Sequence, residues 1–209
     1  MTRTIIAGLM LTLAGCATGR TPPPTVTMGP PPPAWRTAIV ADDVDRIEQL
    51  PGAWATARQR LGRRATTTIR TEGDLLRADA ALPHPALPPG SYKCRLVTMA
   101  RVAVRKTGSF FCYIGDEVGD RISFTKQTGP TLLGGWLYPD GDRYVFMGTR
   151  QRRPGNAALG YGADRARDQV GVVERIGPFR WRLAMPGEAF EVYELTPVPV
   201  EQQGATSKS

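Results

Sequence analysis

Few side chains in this chain can do chemistry, and each has a limited range of uses. Asp164, Asp168 and Glu174 are the carboxylates that could do general acid–base work. On one extended strand Asp168 and Glu174 share a face, yet six residues of about 3.3 Å each set them roughly 20 Å apart. The carboxyl pairs that hydrolyse glycosides sit about 5–9.5 Å apart. Within Asp164-Arg165-Ala166-Arg167-Asp168 the plainer use is local ion pairing at a solvated strand entrance. His84 is the sole histidine and lies in Pro83-His84-Pro85. A general base needs a positioned partner within hydrogen-bond reach, so an exposed loop histidine is expected and no Ser-His-Asp set can be assembled without it. Cys94 and Cys112 with one distant histidine fall short of the three or four ligands that zinc takes. Gly160-Tyr161-Gly162 follows an arginine-rich loop rather than a strand, so it is not a dinucleotide fingerprint. The expectation is therefore no enzyme, no metal and no cofactor. Arg150, Arg152 and Arg153 form a basic patch after Met147. A guanidinium fork suits phosphate or carboxylate, which makes these the candidate anion-binding residues; the alternative is a solvated connector.

Cys16 has a different chemistry. It closes Leu13-Ala14-Gly15-Cys16, after a basic start at Arg3 and an apolar run from Ile5 to Leu13. A basic start, a short apolar run and small residues are the layout of a cleavable secretory signal, and the run is well under the roughly 20 residues that cross a bilayer. The stretch resembles the lipobox of bacterial lipoproteins. That resemblance implies cleavage before Cys16, acylation of its thiol and amine, and an envelope address with the folded part in the periplasm. Ala17 resembles the sorting pattern for outer-membrane delivery. In an oxidising compartment disulfides persist, so Cys94 and Cys112 are expected to pair rather than remain buried thiols, a bridge contributing about 3 kcal/mol on the chain-entropy model.

The formal net charge of +8 is nearly all arginine, since Lys93, Lys106, Lys126 and Lys208 are the only lysines. A cationic surface favours anionic partners. In that compartment these are anionic lipid, acidic glycan or acidic protein, and no nucleic acid.

These residues need elements to position them. Residues 1–15 are the expected signal peptide, and 16–34 a lipidated cysteine and spacer, whose Pro22-Pro23-Pro24 and Pro30 to Pro33 read as extended polyproline. A helical segment is expected over 35–89. Asp42 is its candidate N-cap, and Val44, Ile47, Leu50, Trp54, Ala57 and Leu61 recur at helical spacing. Pro51-Gly52 should kink or split that helix, and a second, shorter helix is expected over 74–81, ending at Pro83. From 90 to 197 the pattern changes to β-branched and aromatic segments between Gly, Pro and Asp turns. Candidate strands run over 91–104, 109–115, 120–126, 131–138, 143–149, 169–176, 179–185 and 190–196. Ile122 and Phe124 alternate with Arg121, Ser123 and Thr125; Phe179, Trp181 and Leu183 alternate with Arg180 and Arg182. Pro139-Asp140-Gly141-Asp142 has hairpin chemistry. Eight strands in meander order can close into a barrel and remove their free edges. The expected fold is thus mainly β: an eight-stranded antiparallel barrel, lipocalin/calycin-like in its meander, preceded by one or two N-terminal helices. Phe124, Phe146 and Trp181 are candidates for its interior. Of the four tryptophans, only Trp35 is expected to be exposed. A disordered tail is expected over 198–209.

Several phrases occur in a familiar order and spacing: Tyr92-Lys93-Cys94-Arg95, Phe111-Cys112, Lys126-Gln127-Thr128-Gly129, Leu137-Tyr138-Pro139-Asp140, Tyr144-Val145-Phe146-Met147-Gly148, Tyr161-Gly162, and Arg167 through Arg175. Over most of 35–197 the chain resembles bacterial envelope proteins carrying domain of unknown function 4893. The resemblance implies the domain boundaries and the envelope address, and supplies no activity. A lesser likeness, through Gly135-Trp136, Pro139-Asp140-Gly141 and the cysteine pair, is to periplasmic inhibitors of secreted metalloproteases, which are small barrels with one disulfide.

Three functions stand open on the sequence. The first is a non-enzymatic lipoprotein acting as a binding or scaffolding module. The second is a barrel carrying a small apolar ligand or lipid among Phe124, Phe146 and Trp181. The third is hydrolysis of an envelope polymer by carboxylates such as Asp168 or Glu174, and protease inhibition is a lesser alternative, because an arm tethered at Cys16 could not insert into a protease.

Overall fold

The structure, a computed structural model, describes residues 31–129, 131–151 and 160–203. Cys16 and most of the proline spacer lie outside the described residues, as do Arg152, Arg153 and the last six residues of the expected tail. Four short helices come first: α1 (Trp35–Ala38), α2 (Ala41–Glu48), α3 (Leu50–Leu61) and α4 (Thr66–Glu72), the last followed by a 3-10 turn at Gly73–Leu76. Nine strands follow: β1 (Gly90–Ala100), β2 (Ala103–Lys106), β3 (Phe110–Val118), β4 (Arg121–Lys126), β5 (Leu133–Asp140), β6 (Arg143–Arg150), β7 (Asp168–Gly177), β8 (Arg180–Met185) and β9 (Phe190–Pro197).

All strand pairings are antiparallel. From β3 to β9 each strand pairs with the next, and β1 pairs with β3 on one side and β9 on the other, with Cys94 opposite Leu195 and Val97 opposite Val192. The result is a closed eight-stranded antiparallel barrel. The ninth strand arises because 91–104 is not one strand. The chain reverses at Arg101, whose φ is 50°, and β2 folds back along the end of β1.

Two apolar layers hold this together. Side chains on the inner face fill the barrel: Tyr92, Cys94, Phe110, Cys112, Ile114, Phe124, Leu133, Leu137, Phe146, Val173, Trp181, Leu183, Tyr193 and Leu195 form one cluster. The outer face of β6, β7 and β9 is also apolar, through Val145, Met147, Val170, Val172, Phe190 and Val192, and packs against Trp35, Ile47, Leu50, Trp54, Ala57 and Leu61 of the helices. Trp54 meets Phe190 with ring centroids 4.4 Å apart. Burying large aromatic and aliphatic side chains fully is worth about 1.5–3 kcal/mol each, which explains why such short helices persist. Both clusters and the cysteine pair fall within Trp35–Leu195, so the compact unit Pro32–Ser209 carries the whole of this core.

Several local expectations are corrected. The helix starts at Ala41 rather than being capped by Asp42, and the amide of Val40, just before it, donates to the Tyr161 hydroxyl at 3.1 Å. Pro51 does divide α2 from α3, standing in the first turn of α3, where a proline's missing N–H costs nothing. The helix expected over 74–81 is absent. A turn of 3-10 ends at Leu76, and the carbonyls of Asp74, Leu75, Arg77 and Ala78 accept from the guanidinium of Arg182, those of Asp74 and Arg77 also accepting from the amides of Arg77 and Ala80 in short turns. Trp35 is buried, not exposed, under Ala34, Ile39 and the outer barrel face. Phe179 leaves the alternation of β8: it is 73% exposed, in the turn before that strand. Within the expected tail, Val200–Gln203 form one helical turn.

Candidate functional site

Among the described residues, a connector crosses one end of the barrel and an ion pair crosses the other. At one end the connector 83–89 crosses over, sending Leu87 into the inner cluster. It is held by the Tyr92 hydroxyl donating to the Pro88 carbonyl at 2.6 Å and by Trp181 Nε1 donating to the Pro85 carbonyl at 3.0 Å. His84 lies on this connector, exposed, with φ 58° and its amide donating to Asp142 Oδ1 at 3.1 Å. At the other end Arg150 of β6 reaches Glu191 of β9, with Nη1 3.1 Å from Oε1 and Nη2 bonded to Oε2. Two strands separate β6 from β9 in the sheet, and both residues share the inward faces of Phe146 and Tyr193, so this ion pair spans the lumen. Lys126 is buried beside it, its amine donating to the Thr131 carbonyl and lying 4.7 Å from the centre of the Phe110 ring. Burial pushes the Lys126 ammonium below the usual lysine range, Arg150 adds to the effect, and Glu191 opposes it.

The proposed interior residues are where alternation puts them. Phe124, Phe146 and Trp181 are buried. Phe124 meets Phe146 edge-on at 5.6 Å, and Trp181 meets Tyr92 edge-on at 6.0 Å. Cys94 and Cys112 form a disulfide in the same interior, joining β1 to β3 across a Cα separation of 6.1 Å.

The carboxylates are separated and engaged. Asp168 accepts from Arg165 Nη1 at 2.8 Å and from the Gly162 amide at 3.0 Å. Glu174 is bound by Arg182, with Nε and Nη2 at 2.8 and 2.7 Å from Oε2. Asp164 accepts from the amide of Ala166 at 3.1 Å, turning the loop. Arg150 ends β6 rather than lying in a loop, and Glu191 occupies its guanidinium.

Besides Lys126 and Arg167, three buried charges among the described residues have no counterpart among the sequence candidates. Arg182 is fully buried between β8 and the helices, stacked 4.8 Å over Trp54. Asp43, also buried, accepts from Tyr161 at 2.6 Å, Arg165 at 2.7 Å and Arg46 at 2.9 Å, tying α2 to the loop before β7. Burial alone would raise its pKa, but the hydrogen bonds from Arg165, Tyr161 and Arg46 outweigh that and hold it below the ordinary aspartate range. Burial, with Asp43 as acceptor, pushes the Tyr161 phenol up to about 12. Glu72 binds Arg95 at 2.6 Å and Lys106, and Arg95 continues to Glu194. One signal for Arg182 is present in the sequence: a short turn after 176 puts Glu174 directly opposite Arg182, and such opposite-charge partners stabilise a sheet.

Concavities lie on the outside. A cleft of about 610 Å³ separates α2 and α3 from the β8–β9 turn, with Ala57, Met99 and Phe190 below and Arg46, Arg60 and Arg101 at its rim together with Glu48, which Arg36 pairs, and Glu188. On the other side of α3 a cleft of about 490 Å³ has Leu76 and Ile69 below and Arg58, Arg70 and Arg77 around it. A third, of about 350 Å³, lies over β4 to β6 beside Trp136 and Tyr161.

A closed eight-stranded antiparallel barrel with an inner cluster of apolar side chains and a helical layer docked on its outer face defines the class of protein. The model of the family described as Domain of unknown function (DUF4893) matches residues 35–195, and the chain belongs to that family. Comparison with curated proteins gives no match, and comparison with solved structures gives none either.

Proposed function

We propose that this protein is a non-enzymatic, lipid-anchored module of the bacterial envelope that binds or scaffolds through its outer surface. The observation that carries the binding part is where the polar groups stand. Asp168 and Glu174 are each bound to an arginine, His84 faces solvent on the connector, and the arginine-rimmed clefts lie outside the barrel. A hollow carrier of apolar ligand would need its space where Phe124, Phe146 and Trp181 pack and where Leu87 and the Arg150–Glu191 pair close the ends. The anchoring part rests on Leu13-Ala14-Gly15-Cys16.

Fractionation of cells expressing the full chain tests the anchor. The wild type pellets with membranes and incorporates labelled acyl chains; Cys16→Ala incorporates none and leaves that fraction. Incorporation of label by Cys16→Ala would remove the lipoprotein assignment. Native mass spectrometry of protein isolated gently from its envelope tests the barrel: a mass matching chain plus acyl anchor is expected, and a further stoichiometric mass would instead establish a carried ligand.

A further inference from the structure

Between residues 49 and 71 there are five arginines, Arg58, Arg60, Arg63, Arg64 and Arg70, and no aspartate or glutamate. The fold adds to them. Arg101, at the reversal between β1 and β2, shares the larger cleft with Arg60, while Arg58 and Arg70 share the second cleft. Arg58, Arg60, Arg63, Arg70, Arg101 and Arg105 are exposed and form no ion pair with any described residue, unlike Arg77, which is held by Asp74 and Asp79. Six unpaired cations are most of the chain's formal excess of +8. The exposed side of α3 carries Ala55 and Gln59, which line neither cleft, with Gly52 and Thr56 at the edge of the larger one, none of them charged. Val102 stands 72% exposed at the hairpin tip between Arg101 and Arg105.

We infer that this face, made by α3, α4 and the β1–β2 hairpin, docks on an anionic phospholipid surface. Arginines along both sides of a neutral crest can reach a plane laid across it, and the guanidinium fork matches lipid phosphate. The exposed apolar tip flanked by arginines suits the boundary between headgroups and acyl chains. The inference deepens the binding-module proposal and rests on it only for a membrane being nearby.

Cosedimentation of residues 32–209, which lack Cys16, with vesicles of mixed phosphatidylglycerol and phosphatidylcholine separates this face from the anchor. Binding is expected to the mixed vesicles, much less to phosphatidylcholine alone, and to fall with added salt, which screens exposed charges. Each basic residue near such a surface is worth about fivefold in binding. Combined Arg58→Gln, Arg60→Gln, Arg70→Gln and Arg101→Gln should therefore cost roughly a hundredfold or more, with the melting temperature kept. The same four positions changed to lysine should retain most of the binding. Equal binding by the glutamine variant, or no binding to the mixed vesicles at low salt, would overturn the inference. Binding to polyglutamate without binding to vesicles would also overturn it, assigning the face to an acidic protein. Loss of membrane association on Cys16→Ala in cells bears on the anchor and leaves this result unaffected.

Discussion

Arg182 stands with its guanidinium carbon 4.8 Å from the ring centre of Trp54, fully buried, while donating to Glu174 and to four carbonyls of the chain that follows α4. A cation taken this far from water costs several kcal/mol and is tolerated only when all its donors are used. Here one side chain joins the outer barrel face to the helical layer and sets the path of the connector.

Arg182→Leu should therefore destabilise the fold by about 3–5 kcal/mol, the usual effect of removing one partner of a buried pair. Urea denaturation followed by tryptophan fluorescence reads it. Arg182→Lys should recover little, because an ammonium has three donors and no planar fork. A change below 1 kcal/mol would mean that the connector does not depend on this residue.

Acid should loosen the junction between α2 and the loop before β7. The pKa of Asp43 is lower in the folded protein than in the unfolded chain, so its contribution is complete above the unfolded value near 3.9 and disappears as pH falls through the folded value. Glu72, held down by Arg95 and Lys106 against the raising effect of burial, acts in the same direction. Urea midpoints measured from pH 7 downward should fall below about pH 4. Asp43→Asn should lower the midpoint at neutral pH and make that acid decline shallower; a decline as steep as that of the wild type would locate the linkage elsewhere.

Reduction should weaken the barrel without changing its topology. The Cys94–Cys112 bridge links two strands that already pair, and closing a loop of this size contributes about 3 kcal/mol on the chain-entropy model. The urea midpoint with and without reductant measures this, and mass after alkylation under denaturing conditions should show two thiols appearing only on reduction.

Close contact between β5 and β6 gives a fourth prediction. A Cβ on Gly148 would lie 2.3 Å from the Gly134 carbonyl oxygen and 2.5 Å from Phe146 Cζ, and one on Gly135 would lie 2.3 Å from the Met147 oxygen. Gly148→Ala should cost at least the about 1–3 kcal/mol typical of overpacking. Gly52→Ala, with open space around it in α3, serves as the comparison and should be neutral or slightly stabilising by thermal melting.

The strands were legible in the sequence because turn residues bound them and alternation assigns faces. Phe124, Phe146 and Trp181 share the inner cluster for that reason. Alternation does not say what lies against the second face, so it gives no sign that Arg182 is buried or that Trp35, expected to be exposed, is covered. Whether an outward face meets water depends on helices 100 residues and more away in sequence, as with Trp54 and Phe190. The 74–81 stretch misled for a related reason: its carbonyls converge on the Arg182 guanidinium, a partner more than a hundred residues away in sequence. Asp43 could not be ranked above Asp42 or Asp45 by periodicity, since only the arrival of Tyr161 and Arg165 distinguishes it.

Closure of the sheet through β1 and β9 has a kinetic consequence. Tyr92 finds Pro197 and Met99 finds Phe190 only after the whole intervening chain exists, and pairings so distant in sequence slow folding. A chain emerging in order presents its helices first, and beyond Val97 and Met99 of β1 most of the apolar surface they dock on comes later, in β6 to β9. Assembly is thus an end-weighted event: a nascent or truncated chain ending before Phe190 has two unpaired strand edges and an uncovered helix layer together, and is the form of this protein most exposed to proteolysis and aggregation.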